Sequence, residues 1–428
     1  MKFTAAGDAL IQQRIPDGYE GFEKVRSFIK RGDARFFNLE TTLNNIGECY
    51  ASQFSGGTYM RTNPESFANM LNYGFNMTSF NNNHTMDFSY EGMLKTMEYI
   101  QKYDVIQSGV GRNLREASAP NYLDTPNGRV ALISVNTTFE PCMMAGEQSR
   151  LFPGRPGING LRHSETLIVS KQDFELITQI SEKTGINEEE KLNIAQGYSK
   201  ETENGIFEMG PLRFAIGNEA GRLMQVNEED MNRILKAIYE AQIKSNYIVI
   251  SVHSHEMTGS SLETPPDFLV DFAHRCIDAG AHAIVGHGPH LLRPVEIYKK
   301  RPIFYSLGDF ILQLYSVTAA PEDFYHKQGL TSDATVHELL KKRSNDFKRG
   351  LMEDKIMAET VVPYWEMENG ELTKLELLPV TCYKNDNQSL SGLPIVAENA
   401  DFVNRLAKMS EPYGIHMELA DGIIKCSW

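Results

Sequence analysis

Histidines and carboxylates in this sequence occur in short windows that could together hold a metal ion. Of the eleven histidines, four fall within the windows His253–His255 and His287–His290. A lone histidine on a strand is more often structural, but these windows accompany two carboxylates, Asp8 and Glu40, at the ends of apolar runs. Imidazole nitrogens combined with carboxylate oxygens suit Zn, Mn, Fe or Ni at a hydrolytic site.

The two carboxylates indicate such a site with different strength. Gly7-Asp8 closes an apolar run and is equally compatible with a simple turn, because glycine and aspartate favour turns. Glu40 directly ends the apolar run Ala34–Leu39, where burial of a carboxylate is costly without a nearby cation. The sequence therefore predicts a metal ion, or a buried arginine, beside Glu40.

An asparagine-histidine pair follows a third apolar run. Asn83-His84 comes after Phe75–Phe80 and precedes Asp87. A run of asparagines can be a plain loop, because asparagine tolerates unusual backbone angles. At a strand end, the alternative is that the Asn83 carbonyl oxygen ligates a metal while His84 acts beside it on the leaving group.

The elements that must position these residues alternate along the chain. Short apolar runs that read as strands occupy Lys2–Ala6, Ala34–Leu39, Phe75–Phe80, Val130–Val135, Tyr247–Val252, His282–Val285 and Ile303–Leu307. Segments with helical spacing occupy Gly21–Lys30, Pro64–Tyr73, Tyr90–Tyr103, Glu228–Lys244 and Pro266–Ala279. This alternation predicts an α/β protein with helices covering a sheet. Ligands of such sheets gather beyond the carboxyl ends of the strands, where the candidate residues fall.

Composition divides the chain into four predicted parts. Residues 1–159 and 228–320 carry the strand series and form the two halves of one core. Residues 160–227 are rich in Glu, Lys, Gln and Asn and are predicted to be a partly helical insertion or cap. Residues 321–428 are predicted to pack on the core, either extending the sheet or forming a small lobe. Their elements are an amphipathic stretch at Val336–Met352, strands at Lys355–Glu366 and Leu372–Val380, and a helix near Ala400–Ser410.

Charge and composition exclude several functional classes. The formal net charge of −14 argues against a general nucleic-acid binder, although a bound metal can still attract a phosphate-bearing substrate. No apolar run reaches the ~18–20 residues of a membrane span, and the first apolar run begins too early for a signal peptide. The five scattered cysteines contain no CxxC pair, which favours reduced thiols in a cytoplasmic protein.

The order of these motifs resembles the calcineurin-like metallophosphoesterases and, within them, the bacterial CapA family of poly-γ-glutamate capsule synthesis. The resemblance covers residues 3 to about 312. The matching segments read GDAL, FFNLETTL, NNNHTMDFSYEGMLKT, RPGIN, ISVHSHE, GAHAIVGHGPHLLRPVEIY and PIFYSLGDFIL. It implies a metallophosphatase-like α/β sandwich that holds one or two divalent metal ions, with Mn, Zn or Fe expected.

The resemblance also assigns roles to individual residues. The implied ligands are Asp8 and His290 for one ion, Glu40 as a bridge, and Asn83, His253 and His287 divided between the ions. His84 corresponds to the histidine that assists catalysis in phosphoesterases. Two departures stand out: Leu10 replaces the usual histidine of the first motif, and Glu40 replaces the usual aspartate.

Further residues are predicted to support the site. His255 is an additional ligand or acid-base candidate. Asp309 is expected to orient His287 or His290, although it could be a turn residue, and Asp87 is expected to support the site from behind the ligands. Arg155 and Arg293 are candidates for binding an anionic substrate, because a guanidinium pairs well with carboxylate or phosphate. A single arginine is more often a surface residue or one that interacts with a helix dipole.

Three functions remain open from the sequence. The first is a metal-dependent hydrolase that cleaves a phosphoester or an amide-type bond in a small-molecule or γ-glutamyl-type anionic substrate. The second is an accessory or ligase-type role in poly-γ-glutamate synthesis, and the third is a catalytically silent binding protein on the same fold. The sequence indicates neither nucleic-acid binding nor a membrane span, and it does not predict the oligomeric state.

Overall fold

The apolar runs of the first part of the chain become the inner strands of two β-sheets. The computed structural model describes residues 1–397 and 401–428. The elements up to residue 158 are β1 (Lys2–Leu10), α1 (Phe22–Ile29), β2 (Ala34–Leu39), β3 (Thr42–Leu43), β4 (Arg61–Thr62), α2 (Pro64–Leu71), β5 (Met77–Ser79), α3 (Ser89–Ile100), β6 (Ile106–Ser108), β7 (Val110–Gly111), α4 (Leu114–Ser118), β8 (Asn121–Thr125), β9 (Gly128–Asn136) and β10 (Gly157–Ile158).

The polar middle segment forms a sheet of its own. Its elements are β11 (His163–Val169), α5 (Lys171–Thr184), α6 (Glu188–Ala195), β12 (Phe207–Met209), β13 (Leu212–Ile216) and β14 (Gly221–Val226). The strands lie in the order β12-β13-β11-β14, and α5 packs on β12 and β13. The segment 160–227, which was predicted to be partly helical, therefore contains a small sheet as well as helices.

The remaining strands return to the two main sheets. The elements are α7 (Glu228–Lys244), β15 (Tyr247–His253), α8 (Asp267–Asp278), β16 (Ala283–His287), β17 (Val295–Tyr298), β18 (Arg301–Phe304), β19 (Asp309–Leu312), α9 (Glu322–Lys327), α10 (Val336–Arg343), β20 (Glu359–Glu368), β21 (Glu371–Thr381), β22 (Ile395–Val396), α11 (Asp401–Ser410), β23 (His416–Ala420) and β24 (Ile423–Ser427). Of the predicted helix near Ala400–Ser410, Ala400 lies outside the described residues.

The first main sheet joins the two ends of the chain. Its strand order is β23-β24-β21-β20-β1-β2-β5-β6, with β19 also beside β1 and β22 beside β21. Strands β1, β2, β5 and β6 run parallel, and β20 pairs with the start of β1 in the antiparallel direction. The C-terminal residues therefore extend the sheet, which decides between the two arrangements that the sequence left open.

The second main sheet has the order β17-β18-β16-β15-β9-β8. Its inner strands β9, β15, β16 and β18 run parallel, so their carboxyl ends meet at one edge. Apolar side chains of both sheets, such as Phe3, Phe36, Leu132, Val285 and Trp365, form a buried core between them. The two sheets therefore pack face to face.

Helices cover both outer faces of this pair of sheets. Val25, Phe67 and Met93 of α1, α2 and α3 pack in the core outside the first sheet. Met231 of α7 and Phe272 of α8 pack in the core outside the second sheet. The result is a four-layer, metallophosphatase-like α/β sandwich, as predicted.

Helix α7 shows why its sequence folds as predicted. The Asn227 side chain caps its first turn by accepting a hydrogen bond from the Asp230 backbone amide. Acidic residues occupy the first turn and Lys244 the last, which complements the helix dipole. Its buried stripe follows helical spacing and consists of Met231, Ile234, Ala237, Ile238 and Ala241.

Two further sequence expectations concern the membrane and the thiols. In the parts of the chain that the structure describes, we find no helix with the length and apolarity that a bilayer crossing requires. All five cysteines are free thiols, and Cys276 and Cys382 are buried. Burial raises the pKa of the Cys276 thiol above its ordinary value.

Candidate metal centre

Strand ends of both sheets converge on one buried cluster of histidines and carboxylates. His253 and His287 end the neighbouring strands β15 and β16 and lie opposite each other in register. Asp8 lies in β1 of the facing sheet, opposite Asn38 on one side and Asp309 on the other. The six predicted ligands Asp8, Glu40, Asn83, His253, His287 and His290 are all buried.

The first group of potential ligands surrounds Asp8. Its Oδ1 lies 3.4 Å from His287 Nδ1 and 3.8 Å from His253 Nδ1. The two imidazole Nδ1 atoms are 2.9 Å apart. Within this group, the side chains of Asp8, His253 and His287 each offer one ligand atom, and these atoms lie within 4.8 Å of one another.

A second group lies on the other side of Asp8. It consists of Asp8, Glu40, His290 and Asp309, whose ligand atoms also lie within 4.8 Å of one another. A third combination joins Glu40 to His253 and His255 within the same distance. Since Asp8 belongs to two groups and Glu40 to two, the cluster offers overlapping ligand sets for one or two ions.

Asn83 and His84 complete the cluster from the loop after β5. The Asn83 Oδ1 lies 3.0 Å from His253 Nε2, and its Nδ2 donates to the Gly56 carbonyl at 3.1 Å. The His84 Nε2 faces Glu40 Oε1 at 4.0 Å. Asn83 is therefore oriented with its carbonyl oxygen toward the histidines, as a metal-ligating asparagine would be.

The buried carboxylates of the cluster show whether a metal ion fits there. Both Glu40 oxygens and the Asp309 Oδ2 are buried without a hydrogen-bond partner. Burial, reinforced by Asp8 and Asp309, raises the pKa of the Glu40 carboxyl well above its ordinary value. A buried carboxylate needs a compensating cation, and among the described residues no arginine or lysine side chain pairs with Glu40. A divalent cation therefore fits this donor set.

The histidines of the cluster differ in pKa. Burial alone would lower the pKa of His290, but Asp309 raises it above its ordinary value, whereas His253 and His255 are in the form that metal binding requires. Burial, together with neighbouring histidines, lowers the pKa of both His253 and His255 well below the ordinary value. Neutral imidazole is the metal-binding form of histidine. Burial alone would raise the pKa of Asp8, but hydrogen bonding and charge from His287 lower it below its usual value, which keeps this carboxylate ionised.

Hydrogen bonds outside the cluster hold its members in place. Asp309 Oδ1 lies 2.9 Å from His290 Nδ1, Asp87 Oδ2 lies 2.7 Å from His84 Nδ1, and Ser251 Oγ lies 2.7 Å from His287 Nε2. Such contacts orient imidazole rings and set their tautomers. Of the two histidines considered for Asp309, the structure therefore pairs it with His290.

The backbone of the site is tightly constrained. A Cβ atom on Gly7 would lie 1.8 Å from the Gly308 carbonyl oxygen, so only glycine fits before Asp8. Gly288 has a positive φ of 122°, and its amide donates to Asp8 Oδ2 at 2.8 Å. His290 adopts the left-handed conformation with φ of 59°, which is uncommon for a residue with a side chain. Strained backbone of this kind concentrates at functional sites.

Several residues around the site were not anticipated from the sequence. Asn38 donates to Asp8 Oδ1 at 2.6 Å, and Asn82 donates to the Leu39 carbonyl at 2.8 Å. Glu256 accepts hydrogen bonds from Thr137 and Thr138 and thereby ties the loop of His255 to the end of β9. A sequence signal existed for Asn38, which is a polar residue inside the apolar run that ends at Glu40.

The two predicted anion-binding arginines donate hydrogen bonds to backbone carbonyl groups. Arg293 is fully buried and donates to the carbonyl groups of Leu262, Ser254 and Glu256, so it organises the loop around His255. Arg155 donates to the Met144 carbonyl. Neither lines the cavity above the site. Substrate binding by either arginine stays a prediction that these contacts do not favour.

A cavity of about 950 Å³ opens above the cluster. His84, His290 and Leu10 are among the residues that line it. Leu10 occupies the position where the phosphoesterase motif has a histidine, so an apolar side chain borders the cavity there. None of residues 160–227 lines this cavity. The inserted sheet instead packs through β14 on α8, at the outer layer of the second main sheet.

Comparison with known proteins places the chain in a family. The family model "Bacterial capsule synthesis protein PGA_cap" matches residues 2–314. Uncharacterized protein y4sH of Sinorhizobium fredii is 30% identical over 432 residues, covering 98% of this chain and 91% of the relative. Capsule biosynthesis protein CapA of Bacillus anthracis is 21% identical over 290 residues, covering 68% of this chain and 53% of the relative.

A crystal structure of a hypothetical protein from Thermus thermophilus is also similar, with a TM-score of 0.40 and 12% sequence identity over 89% of this chain and 98% of that chain. The family match covers the strands and loops that carry the cluster from Asp8 to Asp309. The CapA-like resemblance seen in the motifs is thus confirmed, and the chain belongs to the bacterial capsule synthesis protein family PGA_cap.

Proposed function

We propose that this protein is a metal-dependent hydrolase that cleaves a phosphoester or an amide-type bond. One observation supports this proposal above the others. The Glu40 carboxylate is fully buried, has no hydrogen-bond partner on either oxygen among the described residues, and faces His253 Nε2 at 3.7 Å. Such a carboxylate costs free energy in a folded protein unless a cation accompanies it, and a ligating role explains its position.

In the proposed reaction, the metal ions and the residues around them would have separate roles. When bound, divalent ions such as Mn, Zn or Fe would polarise the bond to be cleaved and activate a water molecule. Asp8, Glu40, Asn83, His253, His287 and His290 would hold them. The His84 Nδ1 is engaged with Asp87 at 2.7 Å, which leaves Nε2 to donate a proton to the leaving group. His255, with Nε2 at 3.0 Å from His253 Nε2, is the second acid-base candidate or a further ligand.

The test combines metal analysis with a substrate screen. We expect the purified protein, reconstituted with Mn or Zn, to hold about one to two ions per chain and to hydrolyse phosphoesters or γ-glutamyl amides. The Glu40→Gln variant should lower kcat/KM by roughly a hundredfold or more, because it removes a ligand charge while keeping the side-chain shape. The matched control is Glu65→Gln, which alters an exposed glutamate on α2 and should leave kcat/KM unchanged. Absence of metal after reconstitution would refute the hydrolase proposal.

A second function is favoured by the family match. The family model and the Bacillus anthracis relative both carry capsule synthesis in their names. An accessory or ligase-type role in making poly-γ-glutamate would use the same cluster on a γ-glutamyl substrate. Binding of γ-glutamyl peptides without their hydrolysis, and without turnover of any phosphoester, would favour this role, whereas hydrolysis of either kind of bond would favour the hydrolase. A cytoplasmic location, expected from the cysteines, stays a prediction.

A further inference from the structure

The cavity above the metal centre has one wall that is rich in basic residues. The wall comes from the end of α10 and the residues that follow it, and the same cavity is also lined by His84 and His290. The basic residues that line it are Arg343, Lys348, Arg349 and Lys355. All of them lie beyond residue 314, where the match to the family model ends. This wall is therefore an addition to the part of the chain that carries the metal ligands.

A strained turn brings these residues to the same cavity. After α10 ends at Arg343, the residues Asn345, Asp346 and Phe347 adopt left-handed φ values of 50°, 58° and 55°. Left-handed backbone is unfavourable for residues with side chains, and three in succession must be held by other contacts. The Phe347 ring packs edge-on against Tyr315 at 4.8 Å, and its amide donates to Ser344 Oγ at 3.0 Å. The turn reverses the chain so that Arg343 and Lys348 line one wall.

The cations of this wall lack carboxylate partners. Across residues 1–397 and 401–428, Arg343, Lys348, Arg349 and Lys355 make no ion pair with an aspartate or a glutamate. Two carboxylates also line the cavity: Glu353 is paired with Lys384 Nζ at 2.8 Å, and Asp354 accepts a hydrogen bond from the Ile356 amide at 3.0 Å. The chain has a net charge of −14, yet four basic residues without carboxylate partners lie together beside the candidate active site. Such a local excess of positive charge indicates that an anionic ligand binds there.

The basic wall lies close to the candidate proton donor. A short loop connects them: a Cβ atom on Gly56 would lie 2.7 Å from His84 Nε2, and Thr58 Oγ1 accepts a hydrogen bond from Arg343 Nη1. Two residues of extended chain span at most about 7 Å. An anion bound by Arg343 would therefore lie within roughly three residue lengths of the bond on which His84 acts.

We propose that Arg343, Lys348, Arg349 and Lys355 form a subsite that binds anionic groups of the substrate next to the bond being cleaved. The four positive charges in one cavity suit a chain of repeated anionic units, either carboxylates or phosphates, better than a single anion. A guanidinium close to the reacting bond would fix the nearest anionic group, and the lysines would hold the next ones. This inference rests on the proposed hydrolase function, because it specifies the substrate class of that site.

The test measures the affinity of the Mn-reconstituted protein for two polyanionic peptides. The probes are γ-linked tetraglutamate and tetraphosphoserine, with tetraserine as the uncharged control, and calorimetry gives each Kd. The test variant is the triple substitution Arg343→Gln, Lys348→Gln and Arg349→Gln. The control is Lys341→Gln, which removes a basic residue from the same helix but outside the cavity, where Lys341 pairs with Asp346.

We expect the native protein to bind one of the charged probes and not tetraserine, and the probe that binds identifies the anion as carboxylate or phosphate. The triple variant should weaken this Kd by at least about tenfold with unchanged metal content, whereas Lys341→Gln should change it by less than about twofold. Binding of neither charged probe, or equal affinity of the triple variant, would overturn the subsite.

The two proposals can fail separately. If the subsite is right and the hydrolase proposal is wrong, the affinity differences between variants remain while no substrate in the screen is turned over. If the hydrolase proposal is right and the subsite is wrong, the triple variant turns over the best substrate with the native kcat/KM.

Discussion

Asp8 and Glu40 are both buried carboxylates of the cluster, but their surroundings differ. Asp8 accepts hydrogen bonds from Asn38 Nδ2 and the Gly288 amide, so its two oxygens are fixed in position. Glu40 has no such partner on either oxygen. Asp8 is therefore held in place by the protein, whereas the charge of Glu40 would need a bound cation to offset its burial. This contrast supports Glu40 as a ligand in the proposed metal site.

This arrangement predicts which variants lose the metal. Asp8→Asn and His287→Gln should each abolish metal retention through a desalting column, since each removes a ligand from the group that joins both sheets. The circular dichroism spectrum should remain native, because the size and shape of each side chain are largely kept. Elemental analysis provides the measurement, and His326→Gln at an exposed histidine is the control. Normal metal content in both variants would show that the ligand assignment is wrong.

For individual residues, the sequence predicted the candidate metal ligands but not the residues that hydrogen-bond to them. Glu40, His253 and His287 were predicted because a charged or metal-binding side chain directly ends an apolar run. Asn38 and Ser251 were missed, since their partners Asp8 and His287 are 30 and 36 residues away and polar residues inside strands have many ordinary uses. Spatial neighbours at such separations leave no local pattern in a single sequence.

Strand β1 is longer than the apolar run from which it was predicted. The apolar run ends at Ala6, but the strand continues to Leu10, because β19 pairs with it in parallel from Asp8 onward. That partner is about three hundred residues away, and the Asp8 amide donates to the Gly308 carbonyl at 3.0 Å. Helix α7 contains its own signals, namely a cap and an amphipathic stripe, and its predicted ends agree with the structure.

The close approach of β1 to Gly308 can be tested by adding one methyl group. Gly7→Ala should lower the free energy of unfolding by at least about 3 kcal/mol, because its Cβ would overlap the Gly308 carbonyl oxygen and displace Asp8. Gly221→Ala is the matched control, since a Cβ there meets no atom within 4 Å, and its effect should stay within about 0.5 kcal/mol. Urea denaturation of the metal-free proteins gives both values. Similar stability of the two variants would contradict the close packing described here.

Across the whole molecule, the layered core was predictable and the arrangement of the C-terminal part was not. The alternation of strands and helices up to residue 312 is sufficient to predict an α/β sandwich. The sequence predicts strands near 355–366 and 372–380, but nothing local shows that they pair with β1 rather than with each other alone. The apolar faces of β20 and β21 are compatible with both arrangements, so only long-range packing decides.

The stability of the whole molecule should depend on pH through a histidine far from the metal centre. Burial, reinforced by Arg301, lowers the pKa of His282 from 6.5 to about 4, and its Nδ1 accepts a hydrogen bond from the Ile248 amide at 3.1 Å. The unfolded chain therefore binds a proton that the folded protein excludes between these pH values. The free energy of unfolding should fall as the pH drops from 6.5 to 4, by up to about 3 kcal/mol from this group.

The variant His282→Asn keeps an acceptor for the Ile248 amide and removes the titrating group. Its loss of stability between pH 6.5 and 4 should be smaller than that of the native protein, measured by urea denaturation at a series of pH values. The control His416→Asn changes an exposed histidine and should retain the native pH dependence. An unchanged slope in His282→Asn would show that this histidine does not titrate differently in the two states.

The position of β1 between β2, β19 and β20 also has a consequence for synthesis. Lys2 lies opposite Glu366 and Asp8 lies opposite Asp309, so β1 leaves the ribosome long before two of the strands with which it pairs. Contacts between such distant residues form slowly. The second main sheet, by contrast, needs no residue beyond Phe304. During translation we therefore expect the second main sheet to form first. Until β19 and β20 have been made, one edge of β1 stays unpaired. Its aspartate can join the metal site only after those later strands have been made.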